Sequence, residues 1–434
     1  MQDSVTRRRF LRQAAGATAA PFILSSLSDR ARAAANERVN VGVIGTGKRG
    51  HTLLRNFLAN DDVQVVAVCD VEKDRSGHAR ARVEEKYSEG KVGGKFRGCN
   101  EYVDYREILA RDDIDCVVIA TPDHWHALPV VAAARAKKDI YCEKPLSLTI
   151  REARVMADQV QEAGVVFQTG SQQRSEMRGR FLRACELVCS GRIGKLQTVH
   201  VRVSGGSKPC DLPTQDAPAS LDWDRWLGPA PDRGYNEALS PRGMHNHFPA
   251  WRSYREYSGG GFTDMGAHHF DIAQWGIGAD DSGPVEIIPP DGREHSMLTF
   301  RYANGVTLFH GGPRGVLFTG TEGIILVDRS VFHAVPDSLA KEPVGEDEQL
   351  YRATNHVSNF LDCVRSREET ICPVEVGCRS VTVCHLGNLA VWNNRRLQWD
   401  PQAYRFVGDD EANSWLDRPK RGAWQQEWDA ATVV

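Results

Sequence analysis

Asp264 and His268 lie four residues apart in Ser258-Gly259-Gly260-Gly261-Phe262-Thr263-Asp264-Met265-Gly266-Ala267-His268-His269-Phe270-Asp271. From Gly261 onward the segment reads as a helix whose apolar residues continue to Trp275. On a helix, residues i and i+4 share a face, and Asp271 falls on the same side one turn later. A carboxylate beside a histidine fixes its tautomer and raises its basicity. Such a pair could take a proton from a hydroxyl, or it could be a satisfied structural contact. A second chemical motif is Gly45-Thr46-Gly47-Lys48-Arg49-Gly50. G-x-G-x-x-G lets a backbone turn approach a pyrophosphate, though on its own the pattern is also found in plain turns.

The flanking elements give the glycines their meaning. Val39 to Ile44 reads as a buried strand, and Leu53, Leu54, Phe57 and Leu58 recur at helical spacing. Phosphates would then sit at a helix N-terminus. A second strand, Val63 to Cys69, ends in Asp70. An acid there can accept hydrogen bonds from ribose hydroxyls and repel a 2′-phosphate, which favours NAD over NADP. Lys73 and Arg75 weaken that preference. Further strands are expected at 114–120, 139–142 and 165–167, and Thr149 with Glu152 forms a capping box. This is an α/β Rossmann domain with a doubly wound parallel sheet, placed at 37–164.

The chain's second part, 165–434, has another rhythm. Val199, Val201 and Val203 alternate with polar residues, and Asn304-Gly305 separates two strand-like runs. Another hairpin is expected across 316–328. These features predict an α+β domain with an open, mostly antiparallel sheet, with its final helices able to return to the first domain.

The order strand-G-x-G-x-x-G, Thr121-Pro122-Asp123-His124-Trp125-His126, then Glu143-Lys144-Pro145 resembles the glucose–fructose oxidoreductase/inositol dehydrogenase/MocA family. The G-G-G-x-x-x-D-x-G-x-H-x-x-D run matches that family's pattern too. The resemblance implies NAD(P)-dependent hydride transfer at a sugar or polyol hydroxyl. It makes Lys144, His268 and Asp264 the catalytic group, and gives the cofactor Gly45, Gly47, Lys48, Arg49, Gly50, Asp70, Thr121, Pro122, His126 and Glu143. Pro145 is expected after a cis bond, and His124 as a structural residue. Arg252, Tyr254, Trp223 and His269 are candidate substrate contacts. His245 and His247 add imidazoles, but the spacings match no recognised ligand set, and no metal is expected. The resemblance further implies a homo-oligomer.

Thr6-Arg7-Arg8-Arg9-Phe10-Leu11-Arg12, a short apolar stretch and Ala31-Arg32-Ala33 read as a twin-arginine signal peptide over 1–35. Export by that machinery to the periplasm is therefore expected, with the nucleotide on board and no stable membrane insertion after cleavage. Outside the cytoplasm a retained nucleotide must be restored within each cycle. Two chemistries do so: two-substrate ping-pong, or a redox-neutral glycosidase or lyase passing through a keto-sugar. A non-catalytic sugar-binding protein is the remaining class. Residues 36–434 carry 48 basic and 55 acidic side chains, a net charge of −7, which argues against nucleic acid as partner. Eleven cysteines with no C-x-x-C pair predict few or no disulfides.

Overall fold

The computed structural model describes residues 38–89 and 97–432. The twin-arginine segment lies outside them. Six strands form the first sheet: β1 Val39–Ile44, β2 Val63–Cys69, β3 Asn100–Tyr102, β4 Cys116–Ile119, β5 Asp139–Cys142 and β6 Phe167–Thr169. Their order is β3-β2-β1-β4-β5-β6, with every pairing parallel. Alternate residues explain the near-continuous apolar runs. Val41, Val43, Cys116, Val118 and Tyr141 enter one core, while Ile44, Val117, Ile119, Ile140 and Cys142 enter another on the opposite face. A parallel sheet with helices on both sides needs apolar residues in both directions. Because β6 pairs with β5, this unit runs to Thr169, past the expected boundary at 164.

Helix Ile150–Ala163 starts at the expected Thr149/Glu152 capping box. Helices His356–Ser366, Val374–Asn393 and Ala423–Thr432 return from the far end of the chain. Their Val357, Phe360 and Leu361 join one Rossmann core, and Val374, Cys378, Val381 and Trp428 join the other.

The second sheet has nine strands: β7 Leu196–Arg202, β8 Pro284–Ile288, β9 Leu298–Tyr302, β10 Thr307–His310, β11 Gly315–Gly320, β12 Ile324–Val327, β13 Phe332–Val335, β14 Leu397–Asp400 and β15 Arg405–Phe406. Their order is β13-β12-β11-β7-β10-β9-β8-β14-β15, and only β7–β10 runs parallel. The hairpins at Asn304-Gly305 and across 316–327 form as their sequences predict. Val199, Val201, Phe300, Leu308 and Phe318 face helices Arg180–Cys189, Gly266–Ile277 and Val374–Asn393. The other face of the sheet keeps Gln197 and Arg301 exposed. All eleven cysteines are free, and no described helix is long and apolar enough to cross a membrane.

The helix carrying His268 begins at Gly266, not Gly261; residues 261–265 form turns. Asp271 is fully buried and belongs to an ion triad instead of the catalytic face. Arg174 Nη2 donates to Asp271 Oδ1 at 2.8 Å and to Asp280 Oδ1 at 2.7 Å, and Ser380 Oγ donates to Asp271 Oδ1 at 2.8 Å. Burial raises the Asp271 carboxyl, partly offset by Arg174. Removing one member of a buried pair strands the other's charge, so Asp271→Ala should lower stability by about 3–5 kcal/mol. Urea unfolding measures this, and a loss below about 1 kcal/mol would show that the triad does not hold the helix.

Candidate active site

A cleft of about 470 Å³ opens where the first sheet's C-terminal edge meets the second domain. Gly45, Gly47, Lys48, Arg49, Asp70, Thr121, Pro122, Glu143, Lys144, Arg252, Asp264 and His268 all line it. At its floor, Gly45 has φ +85°, and a Cβ there would meet the Ala120 backbone at 2.8 Å. A Cβ on Gly50 would lie 2.0 Å from Gly45 O, so helix Lys48–Leu58 can approach β1 this closely only through glycine. Gly47 caps that helix without a side-chain hydrogen bond, and nothing occupies the space where its Cβ would project. Uncapped amides facing open space suit a pyrophosphate. Asp70 Oδ2 accepts from the Thr46 amide at 2.7 Å and Oδ1 from the Glu72 amide at 3.0 Å, which fixes the carboxylate at the rim. The described residues thus fit a dinucleotide: the glycine turn and helix N-terminus would hold its phosphates, and Asp70 its ribose.

Lys144 follows β5 and precedes the cis bond to Pro145, as expected. Its ammonium donates to Asp264 Oδ1 at 2.6 Å and to the Asp264 carbonyl at 3.0 Å. Burial raises the Asp264 carboxyl, but the Lys144 charge and hydrogen bond outweigh it and hold it below the usual range. The sequence pairs Asp264 with His268; the structure pairs it with a lysine from the other domain. The cause is the late helix start, which puts Asp264 in a turn. His268 is buried, with Nδ1 lacking any described partner. Burial first, then the charges of Lys144 and Arg329, push its imidazole well below the ordinary value. The expected increase in basicity is therefore reversed.

His126, Trp223, Tyr254 and His269 lie outside the cleft lining. His126 is buried with Nδ1 2.8 Å from Pro145 O and Nε2 3.0 Å from Thr121 O, so it braces the Lys144 turn from behind. Trp223 donates Nε1–H to Arg233 O at 2.8 Å and stacks on Trp226; Tyr254 is buried in the same apolar cluster. His269 packs edge-on against Phe181, and burial lowers it to about 4. His124 is buried with Nε2 3.0 Å from Trp226 O, a structural position. Arg75, buried, donates to the carbonyls of Pro241 and Gly243. Glu143 accepts from Arg49 Nε at 2.8 Å. No group of three His, Cys, Asp or Glu able to hold a metal occurs among the described residues.

Arg329 and Asp123 are among the cleft residues that carried no sequence assignment. Arg329 arrives from the β12–β13 turn, a reach with no local signal. Asp123, within the Thr-Pro motif, is buried and accepts from Ser258 Oγ at 2.6 Å. Burial pushes its carboxyl up to about 7 against the opposing hydrogen bond from Ser258.

Residues 39–171 match the oxidoreductase family's NAD-binding Rossmann fold, and residues 203–426 match its C-terminal alpha/beta domain. The chain belongs to the Gfo/Idh/MocA oxidoreductase family. Myo-inositol 2-dehydrogenase of Thermotoga maritima is 27% identical over 254 residues, 58% of this chain and 58% of that protein. A glycosyl hydrolase family 109 protein of Solibacter usitatus is 36% identical over 117 residues, 27% of this chain and 26% of that one. The chain therefore spans less than two thirds of either curated relative's length. The aldose-aldose oxidoreductase of Caulobacter crescentus, solved with glycerol, has the same fold at TM-score 0.55 and 16% identity, covering 83% of this chain and 100% of that one.

Asp123 gives a signed pH prediction. An unfolded aspartate ionises near pH 4, roughly three units lower than here, so the folded protein loses stability as pH rises from there through about 7. Asp123→Asn keeps an acceptor for Ser258 and removes that loss. Its stability relative to the parent should rise by several kcal/mol across that window in urea titrations. A constant difference would show that Asp123 ionises normally.

Proposed function

We propose that this protein is an NAD-dependent oxidoreductase that transfers hydride at a sugar or polyol hydroxyl and keeps its dinucleotide through each cycle. The observation that carries this reading is the meeting of Lys144, Asp264 and His268 in a cleft whose floor fits a pyrophosphate. When bound, NAD would accept or return the hydride. Two of the Lys144 N–H groups are engaged by Asp264, which leaves the third for a substrate oxygen. That contact orients the hydroxyl and stabilises negative charge as its proton leaves. His268, neutral across the ordinary histidine range, lines the cleft and is placed to accept the proton and return it in the reverse direction.

NAD is favoured over NADP because Asp70 stands at the β2 end and Arg75 is committed to backbone carbonyls. The twin-arginine pattern at Thr6–Arg12 supports export to the periplasm with the nucleotide retained. The second domain's open sheet supplies a face for a homo-oligomer. A redox-neutral glycosidase on the same retained nucleotide is the second reading, supported by the likeness to a family 109 glycosyl hydrolase.

Denaturing the purified protein should release NAD or NADH, and mass spectrometry identifies which. Lys144→Ala and His268→Ala should each lower turnover by about 100-fold or more while this nucleotide is retained. Near-parental turnover in both variants would remove the assignment. Cleavage of a glycoside without net redox change would select the second reading.

A further inference from the structure

The cationic side chains around the reacting end of the cleft outnumber the anions available to them. Lys144 is paired with Asp264, and Arg49 with Glu143. Asp123 is largely protonated below about pH 7. Glu176, also in the lining, is raised by burial, which the Arg49 charge only partly offsets. Two guanidinium groups remain. Arg252 reaches the already shared Asp264 only at 4.0 Å, donates Nη1–H to Pro249 O at 3.5 Å and otherwise rests on the Trp251 and Phe248 rings, at 4.1 and 4.9 Å. Arg329 donates Nε–H to Gln173 Oε1 at 3.0 Å, and its two terminal nitrogens have no acceptor among the described residues. Burial lowers both groups, and nearby carboxylates offset this only in part. A partly desolvated guanidinium with no carboxylate of its own is costly unless a ligand completes it.

The dinucleotide phosphates are assigned to the Gly47 helix end. Arg252 stands 4.0 Å from Asp264, and Arg329 bonds the Gln173 side chain that also holds His268 O, so both reach the reacting end. The guanidinium fork matches a planar carboxylate with two parallel hydrogen bonds. Resting on the hydride-transfer reading above, we infer that the substrate is an acidic sugar of the hexuronate class, its carboxylate held by Arg329 and Arg252 while a ring hydroxyl faces Lys144 and His268.

Calorimetric titration of the nucleotide-loaded protein with glucuronate, galacturonate and mannuronate, each against glucose, galactose or mannose, tests this. At least one uronate should bind about tenfold or more tighter than its matched hexose. Arg329→Gln and Arg252→Gln should each erase most of that preference, read as the ratio of uronate to hexose affinity, and Arg329→Lys should keep part of it. Equal binding of both sugar classes, no uronate binding, or a preference that survives both glutamine variants would overturn the inference. The absorbance of the bound nucleotide, followed in the same titrations together with release of sugar from matched glycosides, separates the two readings. Hexoses that are turned over while uronates fail defeat this inference and leave hydride transfer standing. Uronates that bind through Arg329 and are never turned over defeat the hydride-transfer reading alone.

Discussion

The ion pair between Lys144 and Asp264 joins the two domains at the point where chemistry would occur. Lys144 leaves a strand of the first sheet; Asp264 lies in a turn just before a helix of the second domain. A 2.6 Å contact between them fixes how far the glycine turn stands from His268. The supports behind each partner are buried and hydrogen-bonded. His126 spans Pro145 and Thr121 behind the lysine, and Gly260 O receives the Asp264 amide at 2.8 Å behind the aspartate. Behind the histidine, Gln173 Nε2 donates to His268 O at 3.2 Å. Local geometry at the site is therefore set by residues that never touch the cleft.

The electrostatics follow from the same pair. Because Asp264 is spent on Lys144, His268 sits in a positive field without a carboxylate of its own, and burial adds to that. Asp123 is pushed the opposite way, towards its neutral acid form. One cleft thus holds a histidine kept unprotonated and an aspartate that stays largely protonated until the pH approaches about 7. Environments that drive titratable groups apart in this way are characteristic of acid–base sites.

Much of this was legible in the sequence where local rules govern. The apolar run at β1, the glycine turn, the Thr149 capping box and the Asn304-Gly305 hairpin depend on neighbours within a few residues, and all form as read. The misreadings share a cause. Pairing Asp264 with His268 assumed a helix that starts at Gly261, but Gly260 and Gly261 pack against the backbone of Ser204 to Ser207, and the helix waits until Gly266. Trp223 and Tyr254 carry the right chemistry for a sugar platform, yet their rings complete an apolar cluster with Trp226 and Tyr257. Arg329 was invisible because only the β12–β13 pairing brings it to the cleft. Tertiary contacts over long sequence separations leave no periodicity to read.

The helices that return from the far end of the chain bear on how this protein acquires its structure. Phe360 and Leu361 lie in the same core as Val41 and Val43, and Trp428 lies with Ile44 and Val117. The earliest and latest described segments therefore close one another's interior. Such distant pairings carry a large loop-closure cost and raise contact order, which slows folding. The nucleotide domain cannot finish packing while the chain is still being synthesised. Its completion is a post-synthetic event.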